Sequence, residues 1–234
     1  MRLTDWDVAQ LIDISAVQAP HGAAEIRELV ASAKHHHFVA VHVLPCWVPF
    51  LKDLLAGTGI MIGAPVGFPG GAHRTEIKAA EARLLVEDGV QEMDMMLNVG
   101  KLRSGEHQYC EDDIRAVVQA AGSVPVKVIL EVHYLDREQM KRACEAAIRA
   151  GAAFVKTATG WAASGATLEV VQFITSFVGS AIKVKAAGNI RSLDTLVAMR
   201  AMGVARFGIN RHSAVEIVRS VAALPGGAVQ VGEV

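Results

Sequence analysis

"VKVILEVHYLDREQMKRACEAAIRAGAAFVKTA", residues 126–158, reads as a strand, a helix and a second strand in one run. "VKVILEV" (126–132) and "FVKTA" (154–158) are short, mainly apolar and contain β-branched residues. Between them "REQMKRACEAAIRAG" (137–151) spaces its apolar residues for one helical face and ends in glycine, the residue that best adopts a helix-stopping turn. The same pattern extends both ways along the chain. Strand runs stand at "LIDIS" (11–15), "FVAVHVL" (38–44), "IMIGAPV" (60–66), "EMDMMLN" (92–98), "AIKVKAA" (181–187) and "RFGIN" (206–210). Helical periodicity fills 23–36, 47–57, 74–89, 112–122, 168–179, 192–203 and 213–223, and "RSLD" puts a serine where the seventh helix begins. Parallel strands need helical crossovers, and eight strand–helix pairs close a sheet, so the expected fold is α/β, a (β/α)8 TIM barrel. An open doubly wound sheet is the alternative, but no G-x-G-x-x-G follows the first strand.

Composition narrows the function. At 234 residues the chain suits one barrel domain spanning 1–234. Its formal net charge is -1 and its composition 52% hydrophobic with 5% aromatic, so neither nucleic acid nor an anionic membrane is an expected partner. Three cysteines, Cys46, Cys110 and Cys144, are odd in number and lack metal-ligand spacing, which points to a reducing compartment. The start "MRLTDWDVAQLIDIS" has no secretion pattern, and no run reaches the roughly 18 apolar residues of a membrane helix, so a cytoplasmic location is expected.

In a barrel of this kind the site lies at the C-terminal ends of the strands. Those ends carry Asp13 and Ser15, His42, Asp94 and Asn98, Glu131 and His133, Lys156 and Thr157, Lys185, and Asn210 with Arg211. Period-two alternation sets Lys156 on the face of Phe154 and Lys185 on the face of Lys183. If both faces point inward, the two lysines are neighbours on adjacent strands. Burial and a nearby like charge both disfavour the ammonium form, so one of them could be an amine nucleophile, able to form an imine with a carbonyl compound. Asp94 could then carry protons. The competing reading is a structural ion-pair network inside the barrel.

The runs "LIDIS", "PVGFPGGAHRTEIKAAEA", "EMDMMLNVGKLRSGE", "VKVILE", "FVKTATGW", "SGATLE", "VKAAGNIR" and "RFGIN", in this order over nearly the whole chain, resemble the deoxyribose-phosphate aldolases. These are class I aldolases, which work without metal. The resemblance implies that Lys156 is the Schiff-base lysine, Lys185 the lysine that lowers its pKa, Asp94 part of the proton relay and Asp13 a positioning group for substrate hydroxyls and water. It implies reversible joining of acetaldehyde and glyceraldehyde 3-phosphate into 2-deoxyribose 5-phosphate, with no cofactor. Substrate contacts are expected from Ser15, His42, Thr157, Thr159, Gly160, Gly188, Asn189, Asn210 and Arg211. The expected partner is a small aldehyde or sugar phosphate, and a homo-oligomer is expected by resemblance.

The chain also departs from that family. "AGNIR" (187–191) has Asn189 where "SGGIR" has its second glycine, and "GINRH" (208–212) replaces the hydroxyl residues of "GTSSG". Arg211 there could grip a phosphate or carboxylate, exclude one, or cap the barrel rim in solvent. His42 stands where a cysteine is common, and "VHYL" follows Glu131 in place of hydroxyl- and thiol-bearing residues, so a remodelled acceptor pocket is expected. A different aldehyde, unphosphorylated or carboxylate-bearing, or a catalytically silent sugar-phosphate binder are the alternatives. A zinc site from His42, His133, Glu131 and Asp94 would share its cavity with two lysines and has no spacing motif, so no metal is expected. "HHH" (35–37) reads as solvated capping of a helix end, Cys46 and Trp47 as packing, "GFPGG" (67–71) as a tight turn near the substrate, and Met93, Met95 and Met96 as core.

Overall fold

In the computed structural model, which describes residues 1–232, eight parallel strands close into a barrel. Residues 233–234, the end of the expected 1–234 domain and of its tail, lie outside the described residues. Strand β1 (Arg2–Thr4) and helix α1 (Asp5–Ala9) come first. The barrel strands are β2 (Ile12–Ala16), β3 (Ala40–Val43), β4 (Met61–Val66), β5 (Glu92–Met96), β6 (Val126–Ile129), β7 (Phe154–Lys156), β8 (Lys183–Ala187) and β9 (Arg206–Ile209). Around them run α2 (Ala23–His36), α3 (Val48–Leu55), α4 (Thr75–Asp88), α5 (Val99–Arg103), α6 (His107–Ala121), α7 (Arg137–Arg149), α8 (Leu168–Val178), α9 (Leu193–Ala201) and α10 (Arg211–Ala222). β2 pairs with β9, which closes the ring and excludes the open sheet. Strand β10 (Ala228–Gln230) returns to pair antiparallel with β1.

Alternation along each strand sorts the side chains into two environments. Ile12 and Ile14, Val41 and Val43, Met93 and Met95, Val126 and Val128, and Phe207 and Ile209 belong to the core between sheet and helices. Burial of each large apolar side chain there contributes about 1.5–3 kcal/mol. Met96 is buried as well, on the other face of β5. The intervening positions on β2, β3, β5, β6, β8 and β9 are Asp13, His42, Glu92, Asp94, Lys127, Lys185 and Arg206, which ion-pair with one another across the barrel. An interior that barrels of this class usually fill with branched apolar residues is here charged.

Local chemistry sets where the strands stop. "EMDMMLN" ends as a strand at Met96, and Asn98 is instead the N-cap of α5, accepting from the Lys101 N–H at 3.1 Å. The "GFPGG" turn after β4 donates the Gly67 N–H to Glu81 of α4 at 2.7 Å. At Gly71 (φ +70°) a Cβ would overlap the Leu97 carbonyl, so the turn can lie against the end of β5 only as glycine. His35 and His36 occupy the last turn of α2 and His37 its left-handed C-cap (φ 59°), in accord with capping. Cys46 corrects one expectation: it is exposed in the short turn Pro45–Trp47, while Trp47 packs edge-on to Phe50.

A buried pair braces the strand that carries Asp94. Lys78 of α4 is fully buried and donates to Asp113 of α6 at 2.7 Å and to the Met96 carbonyl at 3.0 Å. Removing one partner strands a buried charge, so Asp113→Ala is expected to cost about 3–5 kcal/mol in urea denaturation, whereas the double change Lys78→Met with Asp113→Leu should recover most of it.

Candidate active site

Lys156 and Lys185 are direct neighbours across β7 and β8, and both side-chain nitrogens reach one oxygen. Lys156 Nζ lies 2.7 Å and Lys185 Nζ 2.8 Å from Asp94 Oδ2. Lys185 also pairs with Asp13 Oδ2 at 2.5 Å, and Arg206 of β9 donates to the other Asp13 oxygen. Beneath them Glu92 accepts from His42 Nε2 at 2.7 Å and pairs with Lys127 Nζ at 2.9 Å. Lys127 stands 3.5 Å from Asp94 Oδ1, which has no hydrogen bond of its own.

The charges in this cluster separate the two lysines. Three carboxylates, Asp13, Glu92 and Asp94, face three cations, Lys127, Lys185 and Arg206. With those matched, a charged Lys156 leaves an unbalanced positive charge in a largely buried cluster. Burial accordingly pushes the Lys156 amine below the ordinary lysine range; Asp94 opposes that and the Lys185 ammonium adds to it. Burial acts on Lys185 too, but Asp13, Asp94 and Glu92 outweigh it and hold that amine above its usual value. Asp94, which burial would raise, is held well below the carboxylate range by Lys156 and Lys185. Hence Lys156 is the group able to present a lone pair, and Lys185 keeps its charge.

A cavity of about 230 Å³ opens over these groups at the C-terminal ends of the strands. Asp13, Ser15, His42, Asp94, Lys156 and Lys185 line it, as do Thr159, Gly160, Gly188, Asn189 and Asn210 nearer the loops. Two expected contacts lie elsewhere. The Thr157 hydroxyl donates to the Ala187 carbonyl and accepts the Ala187 N–H, both at 2.8 Å, because Thr157 alternates away from Lys156. Arg211 opens α10, points outward and pairs with Glu28 at 2.8 Å in solvent, so it neither grips nor blocks a ligand in the cavity. Asn189 adopts φ +64°, a left-handed conformation that asparagine tolerates, so the turn of the paired glycines survives its replacement. Asn210 spends its side-chain oxygen capping α10.

Four side chains missed in the sequence belong here: Glu92, Lys127 and Arg206 in the ion-pair cluster, and Arg191, which lines the cavity after β8. Period two could have found Glu92, which shares the face of Asp94, and Arg206, which stands beside Lys185. The four groups weighed as zinc ligands do not converge. Glu131 turns to the Thr159 hydroxyl and His133 to the Ser164 hydroxyl at 2.7 Å. Asp13, His42 and Glu92 are close enough to hold an ion, but Lys185, Arg206 and Lys127 already neutralise their oxygens.

Residues 7–213 match the family model described as DeoC/LacD family aldolase. The chain belongs to that family. It is similar to a deoxyribose-phosphate aldolase of Rhizobium meliloti (strain 1021), 50% identical over 98% of this chain and 93% of that protein. It is similar also to one from Klebsiella pneumoniae, 49% identical over 92% of this chain and 87% of the other. Among solved structures, a putative deoxyribose-phosphate aldolase from Coccidioides immitis superposes with a TM-score of 0.89 at 32% identity, covering 94% of this chain and 87% of that one. A deoxyribose phosphate aldolase from Aeropyrum pernix, described as tetrameric, superposes with a TM-score of 0.86 at 28% identity over 95% and 94%. In this aldolase Lys156, Lys185 and Asp94 meet on the cavity floor, and of the departures His42 lines the β3 side while Asn189 and Asn210 line the β8–β9 end.

Proposed function

We propose that the chain cleaves 2-deoxyribose 5-phosphate reversibly to acetaldehyde and glyceraldehyde 3-phosphate through an imine on Lys156. The observation that carries this reading is the shared Asp94 oxygen between one amine whose pKa burial lowers and one whose pKa Asp13 and Asp94 raise against burial. Lys156 attacks C1 of the open-chain sugar, and loss of water gives an iminium. The iminium draws the C2–C3 bonding pair towards nitrogen as the C3 hydroxyl loses its proton, releasing glyceraldehyde 3-phosphate and leaving an enamine. Protonation at C2 and hydrolysis free acetaldehyde and the amine. Asp94 and Lys185 position the proton traffic, and Asp13 orients hydroxyls and water.

The β8–β9 end suits the phosphate. Gly188, Asn189 and Arg191 line it, and α9 and α10 begin there, so helix N-termini and a guanidinium favour an anion. Arg191→Leu is expected to lower kcat/KM for the phosphorylated sugar about 10- to 100-fold, mainly through KM, and to leave unphosphorylated 2-deoxyribose little changed. The deciding experiment compares turnover of 2-deoxyribose 5-phosphate and 2-deoxyribose. A preference of at least about 100-fold for the phosphate is expected. Equal turnover would favour an unphosphorylated acceptor, the reading that the changed residues Asn189 and Asn210 support.

The proposal includes a cytoplasmic enzyme that forms a homo-oligomer. The three unpaired cysteines and the tetrameric description of the Aeropyrum pernix protein support these points. No helix among the described residues is long and apolar enough to cross a membrane.

A further inference from the structure

The bond-breaking step sheds one proton from the C3 hydroxyl and later needs one at C2. Asp94 is a poor place to keep it: against burial, Lys156 and Lys185 hold its carboxylate well below the usual range in the free site, and the Lys185 ammonium stays 2.8 Å away while Lys156 carries the imine. One side chain in the cavity wall is placed to take the proton on from Asp94.

His42 of β3 is 4% exposed and lines the cavity. Its Nε2 is 2.7 Å from Glu92 Oε1 and 3.6 Å from Asp13 Oδ2, and its Nδ1 is 3.8 Å from Asp94 Oδ2. Glu92 is ionised, held below the usual carboxylate range against burial by His42 and Lys127, and an ionised carboxylate can only accept. The hydrogen of the neutral ring therefore sits on Nε2. The Nδ1 lone pair is left on the side of Asp94.

The neighbouring strand is shaped to this ring. Gly63 of β4 is its direct partner in register, and a Cβ there would overlap the imidazole. Glu92 in turn is fixed by Lys127 at 2.9 Å and approached by Arg206 at 3.5 Å, so the anchor of Nε2 cannot swing.

We infer that His42 is the proton store behind Asp94, taking the proton that leaves the C3 hydroxyl and returning it to C2 of the enamine, with Glu92 fixing the competent tautomer. This rests on the aldolase reading and deepens it. In the forward step the O–H pair becomes the new C3 carbonyl, the C2–C3 pair becomes the enamine double bond, and the C=N pair returns to nitrogen as a lone pair. The proton passes by way of Asp94 to Nδ1. In the return step the enamine double bond takes that proton at C2, and nitrogen regains its positive charge. The cavity's net charge stays constant throughout, because the unit of charge moves from iminium to imidazolium and back. That matters in a cluster where Asp13 of β2, Glu92 and Asp94 of β5, Lys127 of β6, Lys185 of β8 and Arg206 of β9 are already balanced around the ring and the Lys156 amine of β7.

The test separates imine formation from proton transfer. Acetaldehyde alone is offered to the enzyme in deuterated water. Borohydride trapping reports the imine, and NMR reports exchange of the methyl protons, which requires the enamine. His42→Gln is expected to trap the imine within about threefold of the parent while exchange falls about 100-fold, and to lose the acid limb of the exchange pH profile. A merely structural role would lower trapping and exchange together and leave that limb in place. Exchange at the parental rate, or a joint loss in soluble, folded variant, overturns the inference. Should the variant not fold, ¹⁵N NMR of the parent decides: hydrogen on Nε2 with Nδ1 titrating supports the store, and hydrogen fixed on Nδ1 overturns it. If the parent itself traps no imine at Lys156, the aldolase reading fails, an outcome distinct from failure of the His42 role.

Discussion

Lys156→Met is expected to abolish turnover, by about 10⁴-fold or more, because no other amine in the cavity can present a lone pair. Lys185 is close but matched to Asp13 and Asp94, and its proton is held more tightly than that of an ordinary lysine. It therefore cannot substitute. The replacement should leave the fold intact, since methionine matches the stem of lysine and Asp94 keeps Lys185 and Lys127 as partners. Steady-state assays with the cleavable sugar and thermal denaturation check the two halves of this result: activity gone, melting temperature unchanged or raised. Residual turnover near the parental rate would mean that the nucleophile lies elsewhere.

The second large effect is expected at Lys185. Lys185→Met removes an ammonium that helps lower the Lys156 pKa and leaves Asp94 Oδ2 to Lys156. Both changes raise the Lys156 pKa, so the rise of activity with pH should move to higher pH and the rate near neutrality should fall about 10²- to 10³-fold. Two buried carboxylates also lose a partner, at a cost of about 3–5 kcal/mol. That loss has a defined pH dependence. Asp94 has its pKa depressed in the folded state, so its contribution is fully present above the unfolded carboxylate pKa and disappears as pH falls towards the folded value. Denaturation at neutral pH should therefore show the full difference between parent and variant, and at strongly acidic pH the difference should shrink. A variant with unchanged pH profile and reduced rate would assign Lys185 a substrate contact instead of an electrostatic role.

The parts of this site that were legible in the sequence are those set by alternation. In "FVKTA" and "AIKVKAA" each lysine has a strand position, and the two runs are consecutive strands, so adjacency of Lys156 and Lys185 followed once the barrel was inferred. Asp94 followed from its place on a strand whose other face is Met93 and Met95. Thr157 was misplaced although the same rule puts it on the opposite face from Lys156. Arg211 failed for another reason: an N-terminal helical residue points radially, and its direction depends on how α10 leaves β9, which no local pattern encodes.

Other features needed the folded chain. Lys127 lies within "VKVILEV", where one charge in a buried strand reads as a local exception until Glu92 and Asp94 are seen opposite it. The pairing of β1 with β10 joins residues more than two hundred positions apart through three-residue strands, too short for periodicity to show. α6 begins at His107, five residues before the run read as helical; buried Cys110 is in register with Ile114, Val117 and Ala121, but a single cysteine among polar neighbours gives too little apolar spacing to mark the start.

One experiment bears most directly on the claim that a single amine is kept neutral beside a charged one. The enzyme is incubated with acetaldehyde, reduced with borohydride, digested and mapped by mass spectrometry across a pH series. The account requires one N-ethyl lysine, at Lys156, already forming readily at pH values where ordinary lysines are fully protonated. Label at Lys185, or label at Lys156 that appears only in strong alkali, would contradict it.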